Sequence, residues 1–141
     1  TQFTRNEAGV VTAVIPSNGP QVVYEYDPRG LLLKADNGDC PIEREYDAVG
    51  RLLRETQGRH EVVSEYDAAG NRCRRRSSLG HETVFEWDEN SQLAVLWQDD
   101  LAPIRFEYDA AGNETSRAVS GGVRIAQEYD SRGRRSTQWV Q

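Results

Sequence analysis

Methionine is absent from this chain and cysteine occurs only twice, at Cys40 and Cys73. With Thr at position 1, the sequence reads as a piece of a longer protein, whose targeting signals are then left behind with the rest. The two cysteines share no Cys-x-x-Cys or Cys/His spacing, so neither is expected to ligate a metal. Two unpaired thiols are expected; only an oxidising compartment would pair them. Long apolar runs are missing too: nothing approaches the ~18 residues of a membrane span, and no signal peptide opens the chain. Positive charge is short, with 17 Lys and Arg against 23 Asp and Glu, a net charge of -6. That balance argues against non-specific nucleic-acid binding, which depends on neutralising phosphates, and keeps the chain soluble. Apolar residues are sparse at 37%. Ordering costs ~1.5 kcal/mol per residue, so a sheet this lean must find cover by curving or by meeting a partner surface. Helical periodicity and helix caps are also absent, and no helix is expected.

What the chain does have is a period. The dipeptide aromatic-Asp recurs six times at steps of 20 or 21 residues, as Tyr26-Asp27, Tyr46-Asp47, Tyr66-Asp67, Trp87-Asp88, Tyr108-Asp109 and Tyr129-Asp130. Glu precedes each copy, at Glu25, Glu45, Glu65, Glu86, Glu107 and Glu128. Gly stands three after Asp at Gly30, Gly50, Gly70, Gly112 and Gly133, whereas the Trp87 copy places Asn90-Ser91 there. A worn copy, Arg5-Asn6-Glu7-Ala8-Gly9, lies 21 residues before the first. A fixed period across residues 1–141 predicts a single array of about seven repeats, the first degenerate and the last truncated.

Each unit holds two strands. Between Gly30 and Gly50, the runs Leu31–Asp36 and Pro41–Tyr46 flank Asn37-Gly38-Asp39, and Asn-Gly predicts a type I′ hairpin turn with both residues at positive φ. Asp-x-x-Gly forms the other turn: Asp bonds the backbone two residues on, and Gly supplies positive φ. Further middle turns fall at Ser17-Asn18-Gly19, Gln57-Gly58, Leu79-Gly80, Gln98-Asp99-Asp100 and Ser120-Gly121-Gly122. Thirteen or fourteen antiparallel strands in an all-β meander follow, a curved sheet or partial shell without helices. Alternation puts Val22, Tyr24 and Tyr26, then Ile42 and Tyr46, Val62 and Tyr66, Phe85 and Trp87, Ile104, Phe106 and Tyr108, and Ile125 and Tyr129 on one aromatic and apolar face, with the glutamates on the other. Glu is disfavoured in strands, so six in register need a reason. Lys34, Arg54 and Arg74 stand where they can pair across the sheet with the glutamates; alternatively the row lines an acidic surface.

The runs Tyr46-Asp47-Ala48-Val49-Gly50-Arg51-Leu52, Tyr66-Asp67-Ala68-Ala69-Gly70-Asn71 and Tyr108-Asp109-Ala110-Ala111-Gly112-Asn113 resemble the signature of the Rhs/YD-repeat family, bacterial members more than animal teneurins. The resemblance spans nearly the whole chain. It implies strands that spiral into a hollow β-shell, which in secreted polymorphic toxins and toxin-complex C subunits encloses a C-terminal toxin. Seven repeats are too few to close one, so the chain is expected to be a wall segment, structural rather than enzymatic. Its implied partners are the rest of the shell and the toxin cargo. Its implied location is secreted or cell-surface, as part of a bacterial toxin delivery system.

Chemistry is weakly signalled. Some family members cut themselves at a junction resembling Asp-Pro-x-Gly-Leu; Asp27-Pro28-Arg29-Gly30-Leu31 matches its first half, yet the repeats continue beyond it, so an ordinary turn is expected. The Asp residues lie one per turn, without the paired burial of a carboxylate dyad and without the oxygen density of a Ca²⁺ loop. His60 and His81 follow turn glycines with no nucleophile motif and read as solvated. Arg72, Arg74, Arg75 and Arg76 form the one basic run, expected to pair with neighbouring glutamates. No catalytic, cofactor or metal residue is therefore assigned. The aromatic row Tyr24, Tyr26, Tyr46, Tyr66, Trp87, Tyr108 and Tyr129 could carry sugar rings, making a carbohydrate-binding or adhesion module the alternative. Open sheet edges would favour homo-oligomers.

Overall fold

The structure, a computed structural model, describes residues 1–141. Its elements alternate strand and turn from end to end: β1 (Gln2–Arg5), β2 (Val11–Ile15), β3 (Val22–Tyr26), β4 (Leu32–Asp36), β5 (Ile42–Tyr46), β6 (Leu52–Gln57), β7 (His60–Tyr66), β8 (Arg72–Ser77), β9 (Glu82–Trp87), β10 (Leu93–Gln98), β11 (Ile104–Tyr108), β12 (Glu114–Ala118), β13 (Arg124–Tyr129) and β14 (Arg135–Val140). All fourteen belong to one open antiparallel sheet in sequential order. There is no α-helix, and the only helical turn is a three-residue 3-10 segment, Ser120–Gly122. The all-β reading and the count of two strands per repeat therefore hold. Backbone packing groups the chain into two units, Thr1–Ser64 with Ser77–Leu79, and Glu65–Arg76 with Gly80–Gln141.

Within the first unit, β3 pairs β4 with Glu25 opposite Lys34, and β5 pairs β6 with Glu45 opposite Arg54. Beyond each Glu the register slips: Tyr26 pairs Leu32 and Tyr46 pairs Leu52, leaving Leu33 and Leu53 as the extra residue of a β-bulge. The second unit repeats the slip at Leu93/Val95, Glu107/Tyr108 and Glu128/Tyr129. A strict period-two reading misses these bulges, because an extra residue leaves the flanking residues' hydropathy unchanged.

The Asn37-Gly38 turn departs from its sequence reading. Only Gly38 is at positive φ, 84°, so the turn is not type I′, and the ladder resumes only at Ala35–Ile42. The five residues left between β4 and β5 end in Pro41, which has no N–H to give the ladder. Gln57 and His60 do flank a two-residue hairpin loop, with Gly58 at φ 58° in its first central position.

Both faces are more mixed than alternation suggests. By register the tyrosine face also holds Arg44 with Glu55, 2.8 Å apart, and Arg117 with Glu114, 2.7 Å apart. These opposed or near-neighbour ions neutralise one another on an otherwise aromatic and apolar face. The glutamate face holds Trp97, whose indole N–H donates to Glu86 at 2.8 Å, and Trp139, opposite Ala126. The apolar residues buried in the sheet are Ala13, Val95 and Ala126, and no large side chain is fully buried. Register puts all three on the glutamate face. The core is as lean as composition predicts.

Candidate functional site

The signature residues build one device, repeated along the sheet. At Asp47 the backbone N–H donates to the Arg51 carbonyl at 3.0 Å, and Gly50 N–H donates back to the Asp47 carbonyl at 3.1 Å. The side-chain Oδ1 of Asp47 accepts from Val49 N–H at 3.0 Å and Arg51 N–H at 2.9 Å. Asp27, Asp88, Asp109 and Asp130 repeat this pair of side-chain bonds to the N–H groups two and four residues on. Asp67 Oδ1 accepts from Asn71 N–H at 2.8 Å. Asn6 does the same at Ala8 and Val10, so the worn copy keeps the whole corner with a neutral amide in place of carboxylate. One oxygen thus satisfies two N–H groups that no ladder reaches.

The second oxygen has a partner that sequence reading left without a role. Asp47 Oδ2 accepts from Arg51 Nε at 2.6 Å, Asp109 Oδ2 from Asn113 Nδ2 at 3.0 Å, and Asp130 Oδ2 from Arg134 Nε at 2.9 Å. The signal was the Arg or Asn directly after the signature Gly. These donors hold the carboxyls below the usual range: at Asp47 the Arg51 backbone N–H weighs most, at Asp109 the Asn113 side chain, at Asp130 the Arg134 backbone N–H. Arg29 instead grips Asp27 at 2.7 Å and donates to the Asp47 and Ala48 carbonyls of the next corner, each at 2.9 Å. Asp27-Pro28 therefore sits in an ordinary corner. The signature glycines sit at positive φ, from 71° at Gly133 to 94° at Gly70, and Ser91 takes the same left-handed conformation at φ 59° in the departing copy.

The aromatic residue fastens one repeat to the one before it. Tyr26 hydroxyl donates to the Val11 carbonyl, Tyr46 to Leu32 and Tyr108 to Leu93, each at 3.0 Å, and Tyr129 donates to Glu114 at 2.9 Å. Trp87 keeps the function with its indole N–H on the Arg72 carbonyl at 2.8 Å. Each acceptor begins a strand and lies beyond the ladder that this strand forms with the one carrying the aromatic residue; β2 and β3, for instance, register only at Ala13–Val23 and Val14–Val22. The hydroxyl reaches the carbonyl that the splayed strands leave free. Arg72 also lies 5.8 Å above the Tyr66 ring and Arg117 lies 5.5 Å above Phe106, so cations cover two of the aromatic faces.

The glutamates have no single partner. Arg54 meets Glu45 at 3.5 Å and Glu61 at 2.6 Å, while the Lys34 ammonium turns to Asp36 at 3.1 Å although Glu25 lies opposite. Arg76 pairs with Glu65, and Arg74 lies 3.6 Å from Glu82. In later repeats Val95, Ser116 and Thr137 stand opposite Glu86, Glu107 and Glu128. A continuous Lys/Arg row is thus absent, and the exposed pairs contribute little each. His60 and His81 are exposed; His81 Nδ1 lies 3.0 Å from Asp99 Oδ2, in a turn where Asp99 Oδ1 accepts from Glu82 N–H at 2.6 Å. Cys40 and Cys73 are unpaired, half-buried thiols.

Comparison with solved structures finds the same fold at low identity. A Photorhabdus luminescens Tc holotoxin pore structure, carrying a TccC3 mutation, matches with TM-score 0.78 at 15% identity, over 98% of this chain and 9% of that one. TcdB2-TccC3-Cdc42 matches with TM-score 0.74 at 12% identity, over 99% and 9%, and TcdB2-TccC3 with 0.72 at 13%, over 94% and 9%. The chain thus spans about a tenth of the length of these structures. No curated protein matches. The family model described as Teneurin YD-shell matches residues 1–138, and with the corner and staple recurring at its period, the chain belongs to the Teneurin YD-shell family.

Proposed function

We propose that this chain is a wall segment of a YD shell, and that the shell encloses or presents a toxin polypeptide lying elsewhere in the same protein. The observation that carries the reading is the use made of the signature: corner after corner, the Asp oxygens are spent on backbone N–H groups and the aromatic N–H or O–H on a carbonyl of the repeat before. Side chains so committed support a structural, non-enzymatic role. A sheet with two free edges and no deeply buried large side chain also suits a part whose cover comes from its neighbours. The partners in this reading are the remaining shell repeats and the cargo; its setting is secreted or cell-surface. The hydroxyls of Tyr26, Tyr46, Tyr108 and Tyr129, engaged with carbonyls, favour packing over a sugar-binding platform. Protease protection of the intact gene product tests the proposal. A non-repeat segment should resist digestion until the shell is denatured; its digestion at the same rate as an unfolded control would refute encapsulation. Saturable quenching of Trp fluorescence by a glycan would instead favour adhesion.

A further inference from the structure

The turn between β4 and β5 assembles a reactive constellation that the wall does not use. Asn37 precedes Gly38, and both are exposed. The Gly38 amide N–H donates to Asp36 Oδ1 at 2.7 Å. The Asn37 side-chain oxygen accepts from two backbone N–H groups, Asp39 and Cys40, each at 3.2 Å. Gly38 lies at φ 84° with open space where a Cβ would stand, so no side chain of its own crowds the turn. A nucleophile, a carboxylate on its proton and two donors on the neighbouring carbonyl oxygen are the parts of an acyl-transfer site.

We propose that Asn37 is a self-modifying residue, deamidated by its own turn. The Gly38 nitrogen bonds to Asn37 Cγ as its proton passes to Asp36 Oδ1, and the Asp39 and Cys40 N–H groups stabilise the oxyanion. The tetrahedral carbon then expels the side-chain nitrogen, which takes the proton from Asp36 and leaves as ammonia. The cyclic imide that remains is opened by a solvent water, giving aspartate or isoaspartate at position 37. One water is consumed and one ammonia is released, with no oxidant or reductant. The Gly38 N–H first, and then Lys34 at 3.1 Å, hold the Asp36 carboxyl below its ordinary range, so it is ionised near neutral pH. The product would add a charge between Asp36 and Asp39, at the rim of an open groove lined by Pro20, Val23 and Glu25.

The chain carries its own reference. Asn18-Gly19 is the same dipeptide in an exposed turn, but no carboxylate meets the Gly19 amide and no backbone donor meets the Asn18 side chain. Peptide mapping by mass spectrometry during incubation of the folded chain in isotopically labelled water at neutral pH tests the proposal. Asn37 should convert several-fold faster than Asn18, with solvent oxygen in the product. In urea the two rates should converge. Asp36→Asn, with the fold checked by circular dichroism, should slow Asn37 to the rate of Asn18. Conversion of Asn37 no faster than Asn18 in the folded chain, a difference that survives urea, or an unchanged rate in Asp36→Asn would each overturn it.

Discussion

At the scale of the residue, the structure turns a sequence signature into specific bonds. The Tyr26 hydroxyl meets a carbonyl beyond the β2–β3 ladder, so Tyr26→Phe removes one part-buried hydrogen bond. We expect a loss of about 1 kcal/mol in urea denaturation, and a similar loss for Tyr46→Phe. Ser91 adopts a conformation costing a non-glycine residue ~1–2 kcal/mol, against ~0.5–1 kcal/mol of extra chain entropy for glycine. Its hydroxyl also accepts an exposed bond from Asn71 at 3.1 Å. Ser91→Gly should therefore gain about 0.5 kcal/mol in the same measurement. Asp99 shares the left-handed conformation, but both its oxygens are engaged, so Asp99→Gly should destabilise instead. That Asp and Gly make turns was legible in the sequence, since both roles are local. The tyrosine staple was not, because its acceptor lies 15 residues back and is a backbone atom that any residue supplies.

At the scale of the element, the corner links stability to pH. The folded-state carboxyls of Asp47, Asp109 and Asp130 lie below their ordinary value, so the unfolded chain takes up protons first on acidification. The stability these groups add is fully present above about pH 4 and is lost as pH falls through their folded-state values. Replacing all three by Asn, the residue that already makes the corner at Asn6, keeps the Oδ1 bonds and removes the titration. Denaturant unfolding from neutral pH into acid should then show a flatter acid limb than the unmodified chain; an unchanged limb would contradict the assignment. Two strands per repeat, their order and the corner were legible because the period and the glycines mark them. The bulges and the loop around Gly38 were not, because they depend on where the neighbouring ladder begins and on Pro41, which cannot join it. The mixed faces escaped for a similar reason: Arg44 and Glu55 satisfy each other only once β5 and β6 are in register.

At the scale of the whole molecule, β1 and β14 leave backbone donors and acceptors unpaired along two sheet edges. Purified alone, the segment should associate as concentration rises, read by size-exclusion chromatography with light scattering; a compact monomer at every concentration would argue that the edges are protected. On the proposed wall reading, the same edges are taken up by neighbouring shell strands. The most direct measurement of the wall reading is a cryo-electron microscopy map of that product. We predict β1 and β14 each paired with a neighbouring strand in a continuous wall, one face of which bounds an enclosed volume holding a separate polypeptide. A map in which both edges are open and both faces meet solvent would contradict it.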